Sequence, residues 1–151
     1  MGRNLKGCFM HESDHWRTPS KLYNWFVKQC NYFDPCPYKC TEFNGLEIAW
    51  PKNVFCNPPY SEINKWVDKA IKEHERQYDS DILLLVPART DTKWFKKLQT
   101  HACKISFFEG RLRFNDSKNG APFPSILVEL YYGNDDKRFM YISKEYYKHY
   151  Y

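Results

Sequence analysis

Glycine is scarce, with 6 in 151 residues. None forms a Gly-x-Gly loop behind an acidic strand end, so the backbone cradle that dinucleotide-binding α/β folds use for a pyrophosphate is missing. The six cysteines, at 8, 30, 36, 40, 56 and 103, contain no Cys-x-x-Cys pair and no matching downstream pair. That argues against the common zinc frameworks, and the thiols read as small buried hydrophobes. His11 and His15, beside Glu12 and Asp14, read as a polar tail and not as a ligand set, so no metal is expected. The strongest apolar run, Ile82 to Val86, falls far short of a membrane span. No apolar segment of the signal-peptide kind follows Met1 to Lys6. The reading is a cytoplasmic protein with reduced thiols and no membrane partner.

What the chain does contain is aromatic surface: 19% Phe, Trp and Tyr, within 42% hydrophobic and 27% charged residues. This is a globular composition of a length that suits one domain. The aromatic surplus implies rings that face ligand or solvent. A net charge of +5 is a mild bias toward polyanions.

Met1 to Asp14 has no periodicity and reads as a flexible N-terminal arm, with one domain over residues 15–151. Thr18 as N-cap and Pro19 at the first helical position begin a helix that runs to about Gln29, carrying Leu22, Trp25, Phe26 and Val27. Asn31 to Phe33 is a short strand candidate ending at Asp34-Pro35-Cys36. The acid there can accept hydrogen bonds from an amine or a ribose. Asn53 to Cys56 reads as a strand. Ile63, Trp66, Val67, Ala70 and Ile71 then give the clearest helix, with Lys65, Lys69 and Lys72 on its solvated face. Ile82 to Val86 reads as a fully buried parallel strand. It ends in Arg89-Thr90-Asp91-Thr92, where Asp91 or Thr92 caps a short helix and Arg89 can meet a phosphate. Lys104 to Phe108 and Arg111 to Phe114 are expected to form a hairpin around Glu109-Gly110. On it Arg111 and Arg113 share a face, and Lys118 lies at a polar tip. A core strand over Ile126 to Tyr132 and a last strand over Arg138 to Ile142 complete the pattern. Tyr146 to Tyr151 is a tail without an assigned role.

Between the strand at 53–56 and the clear helix stands Asn57-Pro58-Pro59-Tyr60. It occupies a strand's carboxyl end, where open α/β sheets bind ligands. Two prolines stiffen the backbone and remove donors, Asn57 adds a side-chain acceptor, and Tyr60 adds a flat ring. That set suits a planar amine. Asn57 Oδ1 and the Pro58 carbonyl can each take one amino hydrogen and draw a delocalised nitrogen toward a tetrahedral shape. Such contacts strengthen in the transition state. Tyr60 would stack on the base held out of its helix.

Asn57-Pro58-Pro59-Tyr60, Ala88 to Thr92 and Gly110 to Phe114, in that order, resemble the phage-type DNA N-6-adenine methyltransferases, the Dam-like family, from about His15 to about Tyr131. The resemblance implies S-adenosyl-L-methionine as methyl donor. It also implies that Trp16, Thr18 and Pro19, together with Asp34, Pro35 and Cys36, lie against that cofactor. DNA is the implied partner, double-stranded with the target adenine flipped out, and Arg89, Thr90, Asp91, Arg111, Arg113 and Lys118 are its expected contacts. A phage or prophage origin would place the protein in the bacterial host cytoplasm. The interval from Asp34 to Asn57 is too short for two further strand–helix units. The expected fold is therefore α/β, an abbreviated, single-domain, Rossmann-like methyltransferase sheet flanked by helices. Amino-methylation of cytosine or RNA, modification of a protein amide, and a catalytically inactive nucleic-acid-binding module remain open.

Overall fold

The computed structural model describes residues 16–102, 104–133 and 138–150. The expected flexible arm over 1–14, the polar tail around His11 and His15, and Cys8 and Cys103 lie outside the described residues. In chain order the elements are α1 (Ser20–Tyr23), continued by a π-helical stretch (Asn24–Gln29), then β1 (Asn53–Cys56), α2 (Ile63–Arg76), β2 (Asp81–Pro87), α3 (Lys93–His101), β3 (Lys104–Phe108), β4 (Ser125–Tyr131), β5 (Arg138–Ile142) and α4 (Lys144–Tyr150). The strands form one five-stranded sheet in the order β1-β2-β4-β3-β5. β1 and β2 pair parallel, as do β3 and β5, whereas β4 runs antiparallel to both β2 and β3. This is the α/β class expected from the sequence.

The run at 82–86 is apolar throughout because both faces of β2 are covered. Ile82, Leu84 and Val86 join Val54, Cys56, Trp66, Val67 and Leu98 in a core beneath α2 and α3. Leu83 and Leu85 join Phe55, Leu22, Phe26, Phe114 and Phe123 on the opposite face. Strand side chains alternate between faces, so one short segment supplies two cores. Each such side chain contributes roughly 1.5–3 kcal/mol on burial. The strand is not purely parallel as read, because β4 takes its second edge antiparallel. On α2 the apolar stripe at Ile63, Trp66, Val67, Ala70 and Ile71 is buried as spaced. Lys69 departs from the solvated face. It is folded onto buried Glu73 at 2.6 Å and lies over the Trp50 ring.

Four local readings are corrected. The Arg111–Phe114 strand does not form, since β3 already has β4 on one edge and β5 on the other and no ladder edge is left for it. The segment instead closes a loop through Ala121 N donating to Leu112 O. Leu112 and Phe114 are buried and Arg111 and Arg113 exposed. Asn31 to Phe33 is reduced to a single bridge, Phe33 to Val54, behind a left-handed Asn31 (φ 57°). The Tyr-rich tail enters α4, and Tyr147 packs on the second core and donates to Glu109 O. Finally, of the described cysteines only Cys56 is buried; Cys36 and Cys40 are half-buried, and Cys30 is exposed.

Candidate active site

β1 carries the chain to Asn57 at the carboxyl edge of the sheet, and β2, parallel to it, ends on the same edge. Pro58 and Pro59 are buried there and Asn57 is half-buried. The Asn57 Nδ2 group donates to Trp16 O at 2.5 Å and to Thr18 Oγ1 at 3.0 Å. A backbone carbonyl only accepts, so the amide nitrogen must face Trp16 and the orientation of the side chain is fixed. Oδ1 is thereby presented as the acceptor end, with the Tyr60 hydroxyl donating to it at a long 3.4 Å. Among the described residues no backbone amide donates to the Pro58 carbonyl, whereas the Pro59 carbonyl accepts from Glu62 N. Asn57 Oδ1 and the Pro58 carbonyl, from residues adjacent in the chain, are the two acceptors of this turn.

An open cavity of about 450 Å³ lies against them. Of the residues expected at the site, it brings together Asn57, Pro58, Pro59, Trp16, Thr18, Asp34 and Cys36. Tyr60, Pro19 and Pro35 do not line it. Tyr60 meets Phe123 edge to face at 5.3 Å, and burial holds its phenol far above the ordinary value. The ring as a whole is half-buried beside Asn57. Pro35 is buried under Gly45, where an added Cβ would meet the Pro35 carbonyl oxygen at 1.9 Å. That close approach fixes the loop bearing Asp34, whose Oδ1 accepts from Cys36 N at 2.8 Å. Thr18 does not cap the first helix as read. Pro19 holds the cap position without a side-chain bond, and Asp116 takes the Ser20 amide at 2.9 Å. The Ser20 amide, one of the first-turn donors, is therefore engaged within the protein.

Sequence reasoning missed Arg17, Tyr23, Lys28 and Tyr38 on the cavity wall. Ser20, Tyr23, Asn24 and Lys28 occupy the helical face opposite buried Leu22 and Phe26, so the apolar stripe already marked where they point. Tyr38, with Arg17 at 5.6 Å and Lys39 at 5.3 Å from its ring, had no such signal. The Tyr23 phenol is raised above its ordinary value by burial first and by the Asp34 carboxylate second. Arg89, Thr90, Asp91, Arg111, Arg113 and Lys118 are all exposed and none lines the cavity. Thr92, not Asp91, caps α3, and no ion pair joins Asp91 to Arg89 among the described residues. No cluster of three or more His, Cys, Asp or Glu side chains of metal-binding geometry occurs among the described residues. No helix among them is long and apolar enough to cross a membrane.

No solved structure matches the chain. It is 31% identical over 126 residues to the DNA N-6-adenine-methyltransferase of Escherichia phage T1, an alignment covering 74% of this chain and 52% of that relative. The chain thus spans about half the length of the curated relative it matches. Residues 8–147 match the family model described as DNA N-6-adenine-methyltransferase (Dam); with that agreement added to an Asn-Pro-Pro-Tyr turn at a sheet's carboxyl edge, its Asn57 amide oriented by Trp16 and Thr18, the chain belongs to that family.

Proposed function

We propose that the chain transfers a methyl group from S-adenosyl-L-methionine to the exocyclic amino nitrogen of adenine in DNA. The observation that carries this reading is the orientation of the Asn57 amide, set by Trp16 O and Thr18 Oγ1. With its nitrogen committed inward, Oδ1 accepts one amino hydrogen while the Pro58 carbonyl takes the other. Both bonds strengthen as the nitrogen turns tetrahedral, which lowers the barrier selectively. Burial of the two prolines keeps these acceptors from reorganising during the reaction.

The cavity, at about 450 Å³, lies within the range of roughly 300–1,000 Å³ usual for small-molecule sites. Its wall combines an acid (Asp34), cations (Arg17, Lys28) and flat rings (Trp16, Tyr38). This donor set fits a cofactor that joins a zwitterionic amino acid to a nucleoside. Asp34 would hold an amine or ribose hydroxyl and Lys28 a carboxylate, with Trp16, Thr18 and Cys36 against the remainder. Pro19 and Pro35 would act by fixing the backbone on either side. When bound, S-adenosylmethionine supplies an electrophilic methyl group on a sulfonium, and the reaction asks for no metal.

In this reading the DNA is a duplex, its target adenine flipped out to reach the cavity. The exposed cations Arg89, Arg111, Arg113 and Lys118 neutralise phosphates beside it, with Thr90 and Asp91 shaping the loop that presents Arg89. The place of action is the cytoplasm of a bacterium. The test is incubation with isotope-labelled S-adenosylmethionine and unmethylated DNA, followed by nucleoside mass spectrometry. N6-methyladenine from the wild type and almost none from Asn57→Ala is expected. Methylated cytosine, or no methylated base at all, would overturn the proposal.

A further inference from the structure

Asn115 and Asp116 both adopt left-handed backbone conformations, with φ of 58° and 51°. Asn and Asp enter that region more readily than other non-glycine residues. Two in succession persist only where the surroundings over-determine them. Here the surroundings are the cavity wall. Arg17 N donates to Asn115 Oδ1 at 2.8 Å and Asn115 N returns a bond to Arg17 O at 2.9 Å. The Asp116 carboxylate accepts from Ser20 N at 2.9 Å, from Ser20 Oγ at 2.5 Å and from Arg17 Nη2 at 3.0 Å. On its other side the same short segment offers Trp16 O and Thr18 Oγ1 to the Asn57 amide.

We infer that Asp116, assisted by Asn115, is a positioning residue for the reaction proposed above: it braces residues 16–20 so that they hold Asn57 acceptor-outward. The brace acts through the segment and touches neither reacting group. It also accounts for an acid in an otherwise basic loop. A carboxylate beside Arg111, Arg113 and Lys118 opposes phosphate binding, but this one is turned onto Ser20 and Arg17. The Ser20 hydroxyl, then the Ser20 amide, hold its carboxyl below the usual carboxylate range, and Arg17 adds to this. The loop expected to meet DNA and the turn expected to meet the amine are thereby joined through residues 16–20, by these hydrogen bonds, the Arg17–Asp116 ion pair and the packing of Trp16 on Phe114 and Phe123.

The inference rests on the methyl-transfer reading, and the experiment separates the two. Steady-state kinetics on duplex DNA are measured for the wild type, Asp116→Ala, Asp116→Asn and Ser20→Ala, each well below its own melting temperature. Small misplacements at a reacting centre cost up to roughly a hundredfold. Asp116→Ala is expected to lose about ten- to a hundredfold in kcat, with KM for DNA unchanged or lower because a repelling charge is gone. Asp116→Asn, which keeps an acceptor for the Ser20 amide, recovers most of the loss, and Ser20→Ala falls between. An unchanged kcat in folded Asp116→Ala, or an effect confined to KM, overturns the inference. If that variant does not fold, Ser20→Ala decides in its place. The side-chain amide signal of Asn57 in a ¹⁵N NMR spectrum reads the brace without turnover. Faster amide-proton exchange in Asp116→Ala supports it and unaltered exchange sinks it, even if the wild type methylates nothing and the functional reading fails.

Discussion

Replacing Asn57 by Asp tests the orientation of the side chain without any substrate. In the wild type, Nδ2 stands 2.5 Å from the Trp16 carbonyl oxygen and 3.0 Å from Thr18 Oγ1. Asn57→Asp puts an oxygen in its place. The Thr18 hydroxyl can rotate and donate to that oxygen, but the Trp16 carbonyl has no proton to give. One hydrogen bond is exchanged for two acceptors facing each other. Leaving such a group unsatisfied costs roughly 1–3 kcal/mol, and a negative charge on the new oxygen adds about another 1 kcal/mol before protonation relieves it. A deficit of about 2–4 kcal/mol at about pH 8 follows. The new carboxyl would have a folded-state pKa raised above its unfolded value. The deficit is then least below the unfolded pKa of about 3.9 and grows as pH climbs to the folded pKa, levelling off beyond it. Urea unfolding of both proteins at about pH 3 and about pH 8 reads this directly, with a variant–wild-type gap smaller by most of that ~1 kcal/mol at the lower pH. A gap that is absent, or the same at both pH values, would refute the orientation of Asn57 and the catalytic reading built on it.

Three further outcomes can be measured on the protein alone. Gly45→Ala places a Cβ 1.9 Å from the Pro35 carbonyl oxygen and 2.9 Å from the Trp66 ring; overpacking of this kind costs about 1–3 kcal/mol, and calorimetry should show Tm falling by several degrees. Glu73 is almost fully buried. Burial raises its pKa, but the bonds from Lys69, Arg76 and the Trp50 amide outweigh it and leave the carboxyl below its ordinary value. Its stabilisation is therefore complete above the unfolded carboxylate pKa and is lost as pH falls through the folded one. Glu73→Gln should lower stability by roughly 1–3 kcal/mol at neutral pH, with the difference from wild type closing in acid; a constant difference would contradict the ion-pair account. In thiol labelling, exposed Cys30 should react at once and buried Cys56 only on unfolding; equal rates for both would contradict the packing of β1.

The sequence alone determined whatever depends on neighbours along the chain. Ile82 to Val86 had to be buried on both faces, the stripe from Ile63 to Ile71 had to be a helix lying on that sheet, and Asn57-Pro58-Pro59-Tyr60 had to sit at a strand exit between them. The α/β class followed from those same stretches, and the family resemblance from Asn57 to Tyr60 together with Ala88 to Thr92 and Gly110 to Phe114. The tertiary structure decided the rest. Trp16 and Thr18 meet Asn57 across sequence separations of 41 and 39 residues, and Arg17 and Ser20 meet Asn115 and Asp116 across 98 and 96. A hydrogen bond between distant residues leaves no periodicity to read, because its donor and acceptor are ordinary loop groups until the fold brings them together. The failed hairpin has the same cause. Arg111 to Phe114 alternates as a strand should, and the alternation survives as exposed and buried side chains. Whether a strand forms also depends on a vacant edge, and β5, arriving later in the chain, had already taken the edge of β3. Tyr60 was read from its ring as a stacking surface; that this half-buried ring also meets Phe123 edge to face is a contact the sequence could not show.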